Sequence, residues 1–200
     1  KTLIVLALVA GALFLAFRLL FGGWTTEYRQ RLTITVETPA GEVSGSAVTE
    51  VRIVDSSGPL VLPDARGSRG KVRGEAVAVE VLPGKWLFAL LGTNGAGPTS
   101  ATAWAQVTFA PERDANNDAR QHSERMKDIK RQPYDTPVPL PPEALPLMVT
   151  FTDIADPASV ERVNLNDLEA TFGPGVRLKA VTLEVTRAGV TEGQAIKIMP

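Results

Sequence analysis

The chain has 200 residues, of which 21 are basic and 22 acidic, giving a formal net charge of −1 at pH 7. This balance argues against a nucleic-acid-binding protein, which usually has a concentrated basic face. The chain contains no cysteine, so disulfides, thiol nucleophiles and thiolate metal sites are excluded. Its length suits one domain with a core of its own, plus appendages.

The N-terminal region begins with an unbroken apolar run from Leu3 to Phe17, followed by Arg18 and a second apolar stretch that ends at Trp24. A helix over this segment is roughly 33 Å long, enough to cross a bilayer core of about 30 Å. Trp24 and Tyr28 would lie at the membrane interface, and Arg18 would extend to the headgroups. Residues 1–24 are therefore predicted to be a single transmembrane anchor, with Leu3, Leu13, Phe14, Phe17, Arg18, Phe21 and Trp24 as its characteristic residues.

A cleavable signal peptide is the alternative interpretation of this segment. Cleavage at its small-residue triplet, residues 10–12, would leave too short an apolar stretch, and residues 18–24 form a poor cleavage site. We therefore expect the segment to be retained. Arg29 and Arg31 do not favour an outward domain, but a short tail ahead of such a run usually stays in the cytoplasm. The expected location is a bacterial inner membrane, crossed once, with a periplasmic domain.

Alternating apolar and polar residues predict strands after the anchor. Leu32, Ile34 and Val36 alternate with polar residues, and after a turn at 39–41 the pattern resumes over 43–53, which predicts a β-hairpin. Residues 66–70 are predicted to be a mobile loop.

A second hairpin is predicted around the Pro83-Gly84 turn. Its first strand covers Val72 to Val81. Its second strand, Trp86 to Leu91, is apolar on both faces, which is typical of a central, covered strand. The glycine-rich stretch 92–100 is predicted to be a loop.

The middle of the chain has a helical and then a proline-rich pattern. Residues 101–110 fit a helix or a strand, and the first part favours a helix. Residues 112–131 predict a helix with a narrow apolar stripe that buries little. Six prolines within 133–146 predict an extended arm without regular helix or a central strand.

The C-terminal part is predicted to return to strands at 147–151, 160–163 and 176–185, with a change of face near Ala180. A short helix with Asn164 as its N-cap should end at the Gly173-Pro174 stop. The tail after Ala188 should be loose or held by a neighbouring segment. One buried cluster is expected to contain Val77, Val79, Trp86, Phe88, Phe151, Phe172 and Leu183.

These elements predict a mainly β, α+β fold. An antiparallel β-sandwich-like domain with two or three short helices should occupy residues 25–200 and follow the transmembrane helix. The segment 112–146, which contains the polar helix and the proline-rich arm, belongs to this domain.

Three segments, Val36–Arg52, Arg73–Val81 and Asp167–Thr186, resemble a group of uncharacterised proteobacterial envelope proteins. The resemblance covers most of the chain after the anchor and is weakest over 92–135. It implies a common fold and a membrane-anchored member of that group. It implies no activity, ligand or active-site residue.

Catalytic and metal-binding patterns are weak throughout the chain. His122 is the single histidine, and it lies in the polar helix without a neighbouring ligand. The acidic cluster at 153–169 matches no EF-hand spacing, and its members suit turns and caps. The stretch 92–97 lacks the Gly-Lys-Ser/Thr ending of a phosphate loop. No catalytic residue, cofactor, metal or small-molecule substrate is therefore predicted.

Candidate contact residues lie in the polar helix and the proline-rich arm: Arg120, Arg125, Lys127, Lys130, Arg131, Pro139 and Pro141. The cations suit a solvated helix face, anionic headgroups or an acidic partner. The prolines suit a brace on the protein's own surface or a partner groove.

Two functions remain open from the sequence. The first, which the missing catalytic pattern and the proline-rich arm favour, is a non-catalytic, single-pass interaction or accessory subunit that docks to or helps to assemble a larger membrane-protein complex. The second is an envelope ligand-binding or hydrolytic domain that works at the membrane surface.

Overall fold

The computed structural model describes residues 2–21, 24–56, 60–62, 64, 67–92, 100–110 and 119–198. Most of the loop predicted at 92–100 and the start of the helix predicted at 112–131 lie outside these ranges. The strands are β1 Thr25–Thr38, β2 Gly41–Ser56, β3 Gly67–Arg73, β4 Val77–Leu82, β5 Lys85–Ala89, β6 Val138–Pro139, β7 Met148–Phe151, β8 Val160–Arg162 and β9 Arg177–Val185. The helices are α1 Thr2–Phe21, α2 Ala101–Phe109, α3 Ala119–Arg131, α4 Glu169–Phe172 and α5 Ala195–Ile198.

The larger sheet has five strands in the order β3-β2-β1-β9-β6, with antiparallel neighbours. Its centre is the predicted first hairpin, in which Leu32 opposes Ala47 and Thr38 opposes Gly41 across a two-residue turn. Every second residue of β1, from Thr26 to Thr38, is buried. The predicted alternation is therefore confirmed, because one face of this sheet covers the core and the other does not.

The smaller sheet has the order β4-β5-β7-β8 and is also antiparallel. As predicted, β4 and β5 form a hairpin around Pro83-Gly84, and β5 is a central strand in which Leu87, Phe88 and Ala89 are all buried. The strands predicted at 147–151 and 160–163 are confirmed as β7 and β8. The whole arrangement is a sandwich-like α+β fold with mainly antiparallel strands.

Two predictions for the segment 66–81 are wrong. Residues 67–70 are not a loop but the start of β3, which pairs with β2 from Gly67 opposite Ser56. Gly70 lies beneath Thr102 of α2, where a side chain would clash, so this glycine serves close packing. The strand predicted over 72–81 is two strands in different sheets, because the chain breaks at Gly74, which has a φ of 136°.

One apolar core lies between the two sheets and is closed by α2 and α3. The ambiguous stretch 101–110 is a helix over nearly its full length, and its Trp104 is completely buried. In α3, Met126 and Ile129 are buried. The prediction that this polar helix buries little is therefore wrong, since its narrow stripe reaches the centre of the core.

The proline-rich arm contributes the edge strand β6, Val138–Pro139, to the larger sheet. It runs beside β9, with the Asp135 amide donating to the Val185 carbonyl and the Leu140 amide donating to the Val181 carbonyl, at 2.8 Å each. Prolines fit here because an edge strand leaves amide positions that need no ladder partner. The arm covers the sheet edge and buries Leu140 in the core.

The C-terminal region keeps the predicted order with changes in detail. The strand β9 changes face as expected, because the β1–β9 register shifts between Thr35 and Val36. The short helix is only α4, whose N-cap is Leu168; the predicted cap, Asn164, instead accepts from the Asn166 amide in a turn. The tail is held by the protein itself: Thr191 exchanges two hydrogen bonds with the Val48 backbone.

The predicted aromatic core residues form a separate group. Val77, Val79, Phe172 and Leu183 belong to the common core. In contrast, Trp86, Phe88 and Phe151 lie together on the opposite face of the smaller sheet, where Phe88 meets Phe151 edge-on at 5.5 Å. Predicting one cluster was therefore wrong, because consecutive residues of a strand point to opposite faces.

The N-terminal helix α1 has 20 residues and occupies the predicted anchor segment. Its side chains are described at Val5 and over 9–17, and all of these are exposed. Across the described part of the chain, no helix combines the length and apolarity needed for a membrane crossing. In the described ranges, the domain after α1 has four α-helices and two 3₁₀ helices, Pro142–Ala144 and Pro157–Ser159, which is more than the two or three short helices predicted.

Candidate functional site

A polar groove of about 540 Å³ lies where β1 begins, at the end of the domain that follows α1. The first strand supplies Glu27, Tyr28 and Arg29, while Lys130 comes from the last turn of α3. The remaining wall follows β9 and the start of the proline-rich arm. Sequence reasoning named Lys130 but could not place it beside β1, which lies about a hundred residues earlier.

Three cations surround this groove. Arg29 is engaged in an ion pair with Glu50 at 3.0 Å and also donates to the Ala188 carbonyl. Arg187 lies over the ring of Tyr134, with 4.2 Å between the guanidinium carbon and the ring centroid. A cation held over an aromatic ring keeps its charge and a fixed position. Glu27 also lines the groove, so its lining carries charges of both signs, three basic and one acidic.

Tyr28 forms the buried side of the groove and is not the interfacial aromatic that the sequence predicts. Its side chain points into the core, and its hydroxyl has no hydrogen-bond partner among the described residues. Burial raises the pKa of Tyr28 above its ordinary value, because the phenolate would lose its hydration. The hydroxyl therefore stays protonated and is not a base.

An apolar groove of about 760 Å³ lies on another part of the surface, beside the end of the proline-rich arm. Its walls are Pro142 to Met148 on one side and the β8–α4 connection, Arg162 to Asn166, on the other. Its rim carries the amides of Asn164 and Asn166, both exposed. Apolar walls with a few polar rim groups suit a peptide segment or a small apolar ligand.

The predicted contact residues of α3 are brought to its outer surface. Lys127, Lys130 and Arg131 are exposed, and two of them are paired within the helix: Lys127 with Glu124 at 2.7 Å and Arg131 with Asp128 at 3.6 Å. Arg125 is half-buried. The side chain of Arg120 lies outside the described residues.

The two predicted contact prolines belong to the edge strand and its continuation. Pro139 is exposed and Pro141 is half-buried. The arm pairs with β9 through Val138 and Pro139, so it braces the edge of the larger sheet.

The predicted anchor residues differ in their exposure to solvent. Leu13, Phe14 and Phe17 are exposed on α1. Trp24 is half-buried and packs against the domain core, and its carbonyl accepts from the Asp55 amide. The side chains of Leu3, Arg18 and Phe21 lie outside the described residues.

The acidic cluster at 153–169 stabilises turns. Carboxylate oxygens of Asp153, Asp156 and Asp167 accept from the amides of Ala155, Ala158 and Ala170 respectively. Within the described ranges, no three acidic or histidine residues converge as a metal site would require. The side chain of His122 lies outside those ranges.

Comparison of the chain with protein-family profiles, with characterised proteins and with solved structures gives no match. The resemblance to proteobacterial envelope proteins therefore stays a prediction. The functional argument depends on α1, on the apolar groove beside the proline-rich arm and on the exposed cations of α3.

Proposed function

We propose that this protein is a non-catalytic, single-pass accessory subunit of a bacterial inner membrane. In this proposal α1 anchors the chain, the domain faces the periplasm, and the domain docks to or helps to assemble a larger membrane-protein complex. The partners are the lipid bilayer and other membrane-protein subunits, with no nucleic acid, cofactor or substrate.

The observation that carries the anchor is the exposure of α1. Leu13, Phe14 and Phe17 are 66%, 67% and 59% exposed, so the core of the domain does not cover this apolar helix. Exposing a long apolar surface to water is unfavourable, by about 25 cal/mol per Å². A bilayer, or neighbouring helices within one, would remove that surface from water.

The apolar groove beside the proline-rich arm supports the docking part of the proposal. Its walls are preformed, because Ala144 and Met148 hold the arm to the core. A preformed groove needs little ordering when a partner segment binds. The exposed cations of α3 add a second surface, which suits an acidic partner.

The volume of the apolar groove also favours the second candidate, an envelope ligand-binding or hydrolytic domain. About 760 Å³ lies within the range of about 300–1,000 Å³ that small-molecule sites occupy. Blocking the apolar groove distinguishes the two candidates. An accessory subunit should lose a bound protein subunit, whereas a ligand-binding domain should lose a bound small molecule.

The test is copurification of the full-length protein from native membrane in mild detergent. Deleting residues 112–146 would remove β6 and part of the core, so a point substitution is the sharper probe. Asn166→Arg places a large cation on the groove rim, and Gln194→Arg makes the same change of charge at an exposed tail position.

We expect a stoichiometric membrane-protein subunit to copurify with the wild-type chain and with Gln194→Arg, and to be lost with Asn166→Arg. Recovery of no subunit with the wild-type chain would contradict the proposal. Loss of a bound small molecule, with every subunit retained, would favour the ligand-binding alternative.

A further inference from the structure

The two edge strands of the smaller sheet, β4 and β8, differ in what lies beside them. The strand β2 approaches β4 so closely that a side chain at Gly45 would clash with the Ala78 carbonyl. In contrast, all three residues of β8, Val160, Glu161 and Arg162, are exposed. The strand β8 therefore borders solvent along its outer edge.

The hydrogen bonds between β7 and β8 show which backbone groups of β8 face the sheet. The Val163 amide donates to the Met148 carbonyl at 3.0 Å, and the Thr152 amide donates to the Ser159 carbonyl at 3.3 Å. Glu161 lies midway between these two pairs in the same ladder. Because bonded pairs alternate along an antiparallel ladder, the amide and carbonyl of Glu161 also face β7.

The backbone groups of Val160 and Arg162 therefore face away from the sheet. Within the described part of the chain, the amides and carbonyls of these two residues have no hydrogen-bond partner. The two residues lie roughly 6.8 Å apart along the strand, at about 3.4 Å per residue. Donors and acceptors that alternate at this spacing match the backbone of another extended segment.

The apolar groove beside the proline-rich arm continues this open edge. Arg162 is the last residue of β8 and also lines the groove. Beyond it, the wall contains Val163 and Leu165, and Leu145 lies on the other wall. An extended segment paired with β8 therefore leads into the groove, where an apolar side chain is removed from water.

The charges at this edge favour an acidic residue on such a segment. Arg162 is exposed and forms no ion pair within the described ranges. Its side chain lies on the face of β8 opposite to that of Glu161, because side chains alternate along a strand. A residue directly opposite Arg162 on an added strand would lie about 5 Å away, and an opposite charge there is stabilising. Glu143 carries the negative charge of the groove lining, on the other wall, so the part of the segment inside the groove should be apolar.

We propose that the partner subunit docks through an extended segment that adds a strand to the outer edge of β8. An acidic residue of this segment lies opposite Arg162, and a neighbouring apolar side chain fills the groove. Hydrogen bonds to the backbone of Val160 and Arg162 supply affinity, while the groove and the charge supply specificity. This inference rests on the proposed docking function and states the chemistry of its partner.

Amide hydrogen exchange in the full-length protein tests the added strand directly. The complex with its copurified subunit is compared with the free protein in the same detergent. We expect the amides of Val160 and Arg162 to exchange at least about tenfold more slowly in the complex. The Glu161 amide, which is paired with β7, is the internal control and should exchange slowly in both samples.

The outcomes separate this inference from the docking proposal. If a subunit copurifies and the amides of Val160 and Arg162 exchange as fast as in the free protein, strand addition is wrong and docking stands. If no subunit copurifies with the wild-type chain, both proposals are wrong.

A proline substitution tests whether the outward amide itself is needed. The φ of Val160 is −65°, which is the value that proline fixes, so Val160→Pro removes this amide while keeping the local φ. The matched control, Val160→Thr, keeps both the amide and the branched shape. We expect the subunit to be lost with Val160→Pro and kept with Val160→Thr. Retention of the subunit by a folded Val160→Pro protein would overturn strand addition; if this variant unfolds, the exchange measurement decides.

A charge substitution tests the acidic residue of the partner. Arg162→Glu should weaken binding of the copurified subunit at least about tenfold, because it places like charges opposite each other. Arg162→Lys keeps the positive charge and is the matched control, with little change expected. Equal binding by the two variants would overturn the acidic residue opposite Arg162.

Discussion

The two sheets of this domain bury their apolar side chains in different ways. The larger sheet has long strands, with 14 residues in β1 and 16 in β2, and only one of its faces is apolar. The smaller sheet has strands of three to six residues and carries apolar residues on both faces. The length of the larger sheet and the two-sided packing of the smaller one are alternative sources of stability.

The two sheets differ most clearly on their outer faces, which point away from the common core. On the larger sheet this face carries ion pairs between neighbouring strands, among them Arg29 with Glu50, Arg31 with Glu184 and Arg52 with Glu27. On the smaller sheet the corresponding face carries Trp86, Phe88 and Phe151. We therefore expect substitutions on the outer face to be costly in the smaller sheet and nearly neutral in the larger one.

The largest expected effect is that of Phe88→Ala in the smaller sheet. Phe88 is 2% exposed and contacts the ring of Phe151, so truncation leaves a cavity and should destabilise the fold by about 3–5 kcal/mol. Urea unfolding of the full chain in detergent, followed by tryptophan fluorescence, measures this loss. The control is Ser46→Ala on the outer face of β2, which should change stability by less than about 0.5 kcal/mol. Equal effects of the two substitutions would contradict the contrast between the sheets.

A smaller effect, of opposite sign, is expected for Tyr28→Phe on the core face of the larger sheet. The buried hydroxyl has no partner among the described residues, and an unsatisfied buried group costs about 1–3 kcal/mol. Removing it should raise the free energy of unfolding by about 1 kcal/mol at neutral pH. Tyr134→Phe, at a 44% exposed tyrosine, is the control and should give no gain.

The same variant has a pH signature. Burial raises the pKa of Tyr28, so above about pH 10 the unfolded chain loses this proton while the folded protein keeps it. Stability of the wild-type protein should therefore fall as the pH rises beyond 10, and Tyr28→Phe should lack this part of the loss. Identical high-pH profiles would show that the hydroxyl is solvated.

The smallest expected effect concerns the ion pair between Glu27 and Arg52 on the outer face of the larger sheet. The two side chains are 3.1 Å apart and about half exposed. A double-mutant cycle with Glu27→Gln and Arg52→Gln should give a coupling free energy of about 0.2–1 kcal/mol. Repeating the cycle at high salt should reduce it further. A coupling that is large and independent of salt would show that this face is covered.

Much of the fold was predictable from local pattern. The first hairpin, the β4–β5 hairpin and the last strand were predicted because their apolar residues repeat with the period of a strand. The strand β3 was missed because Val72 is its one apolar side chain, so no apolar repeat marks it. It pairs with the open edge of β2, and Gly70 lets α2 approach. The polar groove could not be predicted from the sequence either, because Arg29, Lys130 and Arg187 come from three distant segments of the chain.

The sequence by itself determined the apolar run of α1, the alternation of the larger sheet and the turns at Pro39 and Pro83, because each depends on neighbouring residues. The tertiary structure decided which side chains of the polar helix and the proline-rich arm are buried. Met126, Ile129 and Leu140 are a small apolar minority in their segments, and the narrow stripe of the helix does not by itself indicate how deeply it is buried. They are buried because α3 packs against α2 and the arm pairs with β9, and both neighbours come from distant parts of the chain.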